Sequence, residues 1–253
     1  MSGHSKWSTI KHKKGAADAK RGKIFNRLSR ELMISARLGG ADIASNSRLR
    51  IAVSRARAAN MPKDTIERAI TKGAGGDDGQ TLEEVRYEIF APGGVGVIVE
   101  AMTDKKARTT PEIKSIVNKH GCNLAEPGAV SRLFQSRGYI LVEKTAIGEE
   151  ELMDLALEAG AEDMTQEDAY FEILSEPENF SEVAEALSAK SIPTEVSEVR
   201  YMPMDGTEVE AESLEKARKF IQLIELFEDH DDVQEVYHNM SISDEIMAEL
   251  SAS

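Results

Sequence analysis

The charge of this chain is divided along its length, and the division limits how the chain can be built. Residues 1–72 carry 17 Lys and Arg against 5 Asp and Glu, a net of +12. Residues 73–253 carry 14 Lys and Arg against 40 Asp and Glu, a net of −26. The overall charge of −14 conceals this. So much positive charge in one stretch repels itself unless a polyanion or an acidic surface is near. The chain should therefore fold as a basic end that meets polyanions and an acidic remainder. Its 253 residues, 41% of them hydrophobic, suffice for more than one packed core and exclude disorder throughout.

Residues 1–16 hold Lys6, Lys11, Lys13 and Lys14 with His4 and His12 and few apolar side chains, as expected of a flexible basic arm. Trp7, the only tryptophan, lies within it, placed either to pack on the first helix or to stack on a base. A helix is predicted from Ala17, with Ile24, Phe25, Leu28, Leu32 and Ala36 on one face. Lys20, Lys23, Arg27, Arg30 and Arg37 fall largely outside that face, and Gly39-Gly40 ends the helix. A second helix, about 47–59 with Asn46 or Ser47 as its cap, buries Leu49, Ala52, Val53 and Ala56. Arg48 and Arg55 flank that stripe on one side, Arg50 and Arg57 on the other, free to reach phosphate. A third helix begins at Met61-Pro62-Lys63-Asp64 and ends at Gly73-Ala74-Gly75-Gly76. Residues 17–76 thus read as a nucleic-acid-binding three-helix bundle.

The pattern then changes to strands at 85–90 and 95–100 around the turn Ala91-Pro92-Gly93-Gly94, a helix at 111–120 and a strand at 129–134. Residues 137–201 read as β-α-β-β-α-β, a ferredoxin-like order. A helix at 213–228 and a strand at 232–239 follow. The expected fold is multidomain, α and α+β. It comprises the bundle, a middle α+β domain from 77–136 and 202–241, a ferredoxin-like α+β domain inserted in it, and a C-terminal tail at 242–253.

Enzyme chemistry finds little support. Gly22-Lys23 is followed by Ile24, and Gly15 stands seven positions before Gly22, so no phosphate-binding P-loop exists there. Pro92-Gly93-Gly94-Val95-Gly96 joins two strands, where a phosphate cradle requires a following helix. Cys122 with His120 two residues away reads as a packed cysteine. The run Glu228-Asp229-His230-Asp231-Asp232 lacks the spacing of a calcium loop and reads as a solvated acidic loop. No catalytic residue, metal ligand, cofactor or small-molecule substrate is expected. No stretch approaches about 18 apolar residues, and neither a secretory h-region nor a myristoylatable glycine follows Met1. With a single cysteine, the expected setting is the cytoplasm.

Several motifs then resemble the YebC family. They are Gly3-His4-Ser5-Lys6-Trp7, the stretch Ala58-Ala59-Asn60-Met61-Pro62-Lys63-Asp64 with Ile66-Glu67-Arg68-Ala69-Ile70, and Pro92-Gly93-Gly94-Val95. Thr103-Asp104, Arg108-Thr109 and Gly121-x-Asn123-Leu124 with Gly128 and Phe134 continue the likeness. The chain departs from the family where Ala41-Asp42-Ile43 stands for Pro-Asp-Pro, and where Ile89-Phe90-Ala91 stands for Gly-Tyr-Gly. The resemblance implies three domains, the third ferredoxin-like and inserted in the second, in a cytoplasmic protein described as a transcriptional regulator that binds DNA. Family members, including the mitochondrial translational activator of cytochrome oxidase, are also associated with the ribosome and with relief of stalling at proline-rich sequences.

Two partners are therefore expected: DNA, or ribosomal RNA with ribosomal proteins nearby. The contact residues would be His4, Lys6, Trp7, Lys11, His12, Lys13 and Lys14 of the arm, with Lys20, Arg21, Lys23, Arg27, Arg48, Arg50, Arg55, Arg57, Lys63 and Arg68 of the helices. No helix offers a pattern of Arg, Asn and Gln for base edges, so phosphate contacts should dominate.

Overall fold

A computed structural model of the chain describes residues 18–75, 82–166 and 169–251, with side chains described from 22 to 250 within those ranges. It is a mixed α and β, multidomain fold. One compact unit takes the described residues up to Phe134 together with those from Pro203 onward; Gln135–Met202 form the other.

The described residues begin with three helices: α1 (Asp18–Gly39), α2 (Ser47–Ala58) and α3 (Lys63–Gly73). Leu28, Leu32 and Ala36 from α1, Leu49, Ala52, Val53 and Ala56 from α2, and Ile66 and Ala69 from α3 share one core. Each set recurs at the helical period, so one face of each helix turns inward. Ile24, expected on the α1 stripe, is 42% exposed. Phe25 is itself only partly buried, so the covered length of α1 begins at its next turn. Asn46 fixes the α1–α2 connection: its Oδ1 accepts the Leu49 N–H at 3.0 Å, and its Nδ2 donates to the Ser35 and Gly40 carbonyls, each at 2.8 Å. Gly73 is required by packing, because a Cβ there would stand 2.1 Å from the Met33 carbonyl oxygen.

The chain continues through β1 (Glu83–Ala91), β2 (Val95–Thr103), α4 (Lys106–Lys119) and β3 (Asn123–Leu124). Next come β4 (Phe134–Glu143), α5 (Glu149–Glu158), β5 (Ala161–Gln166), β6 (Tyr170–Ser175), α6 (Phe180–Ala189) and β7 (Val196–Pro203). It closes with β8 (Val209–Glu210), α7 (Leu214–Asp229), β9 (Val233–His238), β10 (Met240–Ser241) and α8 (Asp244–Ser251).

The first unit contains a sheet of order β3-β1-β2-β9. β1 and β2 form a hairpin whose turn has the type II signature, Pro92 followed by Gly93 at φ +87°, with the Gly94 N–H donating to the Ala91 carbonyl. β9 returns from the far end of the chain to pair antiparallel with β2. Val95, Val97 and Val99 of β2 pack with Ile113 and Val117 of α4 and with Phe220, Ile224 and Phe227 of α7. This core shares no residue with that of the three helices.

The second unit has sheet order β5-β6-β4-β7, with α5 following β4 and α6 following β6. Ile140, Val142, Phe171 and Ile173 are buried, as are Leu152 and Ala156 of α5 and Phe180, Val183 and Leu187 of α6.

Three expectations about elements need correction. The strand expected at 129–134 is a turn and a short 3-10 helix (Ser131–Leu133). The buried Glu88 carboxylate accepts the N–H groups of Gly128, Val130 and Ser131, which holds these residues out of any ladder. Those bonds carry its pKa below the ordinary value although burial works the other way. The helix expected from Pro111 starts at Lys106, because Thr103 Oγ1 accepts the Lys105 N–H and bonds Thr109 one turn on. Pro111 therefore sits inside the helix rather than at its start. Finally, residues 242–253 are not simply a tail: α8 places Met247 in the sheet core, beside Ile242.

Candidate nucleic-acid interface

The basic arm, with His4, Lys6, Trp7, Lys11, His12, Lys13 and Lys14, lies outside the described residues, as do the side chains of Lys20 and Arg21. The remaining candidates separate into groups set by helix geometry.

Residues seven apart share a helix face. On α2, Arg48 and Arg55 form one rail and Arg50 and Arg57 the other. The first rail meets carboxylates. Arg48 Nε donates to Glu31 Oε1 at 2.8 Å, and its Nη2 reaches Glu31 and, on β1, Glu84. Partial burial disfavours its charge, but these two glutamates more than offset that and raise its pKa. Arg55 pairs with Glu235 of β9 at 3.3 Å. The guanidinium groups expected to stand free for phosphate are, on this rail, already occupied by acidic residues of the sheet. The second rail differs. Arg50 donates to the Ile43 and Ala44 carbonyls of the α1–α2 loop. Arg57 is exposed and forms no ion pair with another described residue. Lys63 lies 3.6 Å from Glu67 on its own helix, and Arg68 donates to the Asp64 carbonyl. These local bonds leave both near solvent.

The α1 candidates dock on the end of α7. Lys23 Nζ donates to the Asp229 carbonyl at 3.0 Å and to its carboxylate at 2.8 Å, and Arg27 bonds the Glu228 carbonyl. A helix C-terminus presents unpaired carbonyls and partial negative charge, so these cations suit it. Arg30, which was not among the candidates, goes deeper. Its Nη1 donates to the Met102 carbonyl at 2.9 Å and the Asp231 carbonyl at 2.7 Å, and its Nη2 lies 2.9 Å from Asp232 Oδ1. That last contact is a charge contact without hydrogen-bond alignment.

Asp232 is the centre of this arrangement, its side chain only 2% exposed. Thr109 Oγ1 donates to its Oδ2 at 2.6 Å and Arg108 Nη2 to the same oxygen at 2.8 Å. Burial alone would raise its pKa; the Thr109 and Arg108 bonds and the charges of Arg30 and Arg108 outweigh burial and hold it at about 2. The Thr103-Asp104 and Arg108-Thr109 motif is therefore structural, tying α4 to the start of β9. Arg30 and Asp232 were invisible as a pair in the sequence. The acidic run gives no sign of which of its carboxylates is buried.

A cleft of about 950 Å³ opens beside this centre, lined by residues that include Arg108, Glu112, Lys119 and His230. Donor atoms of Glu112, His230 and Asp232 lie within 4.8 Å of one another. The chemistry there is that of an ion-pair network. Both Asp232 oxygens already face cations, and His230 Nδ1 accepts the Asp232 N–H while its Nε2 faces Glu112 at 3.1 Å. The acidic run is thus not simply a solvated loop: Asp229 is exposed, but Asp232 is buried, with a cation at each carboxylate oxygen. Among the described residues, no helix is long and apolar enough to cross a membrane.

Residues 5–76 match the family model for the TACO1/YebC N-terminal domain, and residues 82–240 match that for the TACO1/YebC second and third domains. A "probable transcriptional regulatory protein" of Leptospira biflexa is 52% identical over 244 residues, covering 96% of this chain and 98% of its own. One of the same description from Syntrophobacter fumaroxidans is 48% identical, covering 98% of each chain. The crystal structure of a conserved hypothetical protein from Aquifex aeolicus superposes with a TM-score of 0.83 at 45% identity, covering 94% of this chain and 97% of that one.

Proposed function

This chain belongs to the TACO1/YebC family, and on that footing we propose that it is a regulator of gene expression that binds DNA through phosphate contacts of its basic N-terminal region. The observation that carries this reading is the division of the α2 arginines. One rail is neutralised by acidic residues of the same chain, while Arg57 on the other rail is left exposed in a segment of net charge +12. That rail, Lys63, Arg68 and the arm would then form the contact surface. In this reading α1–α3 are a three-helix bundle, residues 137–201 are a ferredoxin-like insertion, and the protein acts in the cytoplasm as a binder, not an enzyme. The relatives' description as probable transcriptional regulators supports the regulatory part.

One observation favours a second reading on the ribosome. Among the described residues, no helix offers a row of Arg, Asn and Gln for base edges, and phosphate-led binding suits ribosomal RNA as well as DNA. The acidic remainder, at −26, would suit basic ribosomal proteins.

The test is fluorescence anisotropy of the full chain with a labelled DNA duplex and with a ribosomal RNA fragment, across a salt series. Replacing Lys11, Lys13 and Lys14 with Ala should weaken binding evenly across sequences and reduce the salt slope by about one for each phosphate no longer neutralised. An unchanged affinity and slope would remove the arm from the interface. Preference for the RNA fragment over duplexes of every sequence would decide for the ribosomal reading.

A further inference from the structure

The helical segment is joined to the sheet of its unit by ion pairs of one polarity. Lys23–Asp229, Arg48–Glu84 and Arg55–Glu235 all place the cation on α1 or α2 and the carboxylate on the sheet side. Arg27 repeats the pattern toward a backbone carbonyl at the end of α7. The apolar cores on the two sides share no residue. The three pairs are also open to water: side-chain exposures are 43% and 72% for the first, 40% and 46% for the second, and 36% and 38% for the third. Exposed pairs of this kind are individually weak and screened by salt. A carboxylate beside Lys or Arg occupies the place that a phosphodiester would take.

We propose that these acidic side chains are an electrostatic latch, internal mimics of a nucleic-acid backbone that occupy part of the basic surface until phosphates displace them. The proposal rests on the nucleic-acid-binding reading above and adds its regulation. Glu84, Asp229 and Glu235 hold the inner cations, so weak or accidental polyanions meet only the uncommitted ones. A nucleic acid that engages the arm and Arg57 brings enough phosphate to exchange with the three exposed pairs. Arg30 with Asp232 is excluded from the exchange, because the Asp232 side chain is buried and bonded on the far side by Thr109 and Arg108. The helices would loosen from the sheet while still anchored there. Duplex DNA and single-stranded RNA share the chemistry that opens such a latch.

The test uses the full chain with Glu84→Gln, Asp229→Asn and Glu235→Gln together. The control carries Glu126→Gln, Asp205→Asn and Glu245→Gln, exposed carboxylates of the same unit and the same change in net charge. Affinity for a labelled DNA duplex and for a single-stranded RNA is measured at 0.1 M salt, a concentration at which exposed charges are screened beyond about 10 Å. The latch variant should bind about tenfold more tightly than the control, the sum expected of three exposed pairs. Glu67→Cys and Glu225→Cys in a Cys122→Ser background carry a dye pair across the junction. Nucleic acid should lower energy transfer in the otherwise wild-type chain, and the latch substitutions should lower it without nucleic acid. Equal affinity for latch variant and control, with transfer unchanged on binding, would overturn the latch and leave nucleic-acid binding standing. If no variant binds either probe, the functional reading falls and takes the latch with it. Binding by the latch variant alone would uphold both. A response to only one of the two probes would identify the source of the phosphate.

Discussion

The two arginine rails of α2 are chemically alike and differ only in what they face. Arg48 and Arg55 are seven residues apart, as are Arg50 and Arg57, and all flank one buried stripe. The first pair meets Glu31, Glu84 and Glu235; of the second, Arg57 stays exposed. A cation's role is therefore fixed by the charge of the surface opposite it, and a net charge of +12 overstates the basic surface available to an outside partner. The Asp232 centre extends the comparison inward, since there the carboxylate of the pair is removed from water.

That difference in burial gives the largest expected effect. Asp232→Asn leaves the half-buried Arg30 with no carboxylate partner and Arg108 with only Asp104. Breaking one partner of a buried pair costs about 3–5 kcal/mol. Denaturant unfolding should show a loss of that size, whereas Glu84→Gln, in an exposed pair, should cost under about 1 kcal/mol. Equal losses at the two positions would erase the distinction between inner and outer pairs.

Acid sharpens the same contrast. Asp232 ionises at about 2 in the folded chain against an ordinary 3.8. A depressed carboxylate stabilises the fold above its unfolded pKa, and that contribution disappears as pH falls through the folded value. The shift corresponds to about 2 kcal/mol, present at pH 5 and lost between pH 4 and pH 2. Glu88, also depressed, acts in the same direction. Glu100, raised chiefly by burial, acts oppositely. The stability difference between wild type and Asp232→Asn should shrink by about 2 kcal/mol from pH 5 to pH 2. A difference that stays constant would show that Asp232 is not the group being titrated.

Much of this was legible in the residues, and the parts that were not have specific causes. The stripe Leu49, Ala52, Val53, Ala56 could be read because helical periodicity is a local property, and so could the Pro92-Gly93 turn. The turn at 128–131 could not, because Glu88, the residue that holds it, lies forty positions earlier. The helix start at Lys106 was hidden by Pro111, which suggests a first turn wherever it stands. At the candidate interface the basic residue types were readable, but which of them face acidic residues depends on β9 reaching β2 from the far end of the chain.

The smallest effect discriminates best between the rails. Arg57→Ala removes an exposed cation with no ion pair among the described residues, so the melting temperature should hardly move. If Arg57 meets phosphate, the salt slope for duplex binding should fall by about one. Arg48→Ala should do the reverse. It forfeits bonds to Glu31 and Glu84, lowering stability by about 1 kcal/mol. Its effect on affinity should stay within about twofold, because binding only exchanges the carboxylate partner of Arg48 for a phosphate. Measuring both variants in one salt series sets the rails directly against each other. If Arg48→Ala lowers the slope and Arg57→Ala leaves it unchanged, the first phosphate contacts fall on the rail that faces the acidic sheet, and Arg57 is not the uncommitted cation that nucleic acid meets.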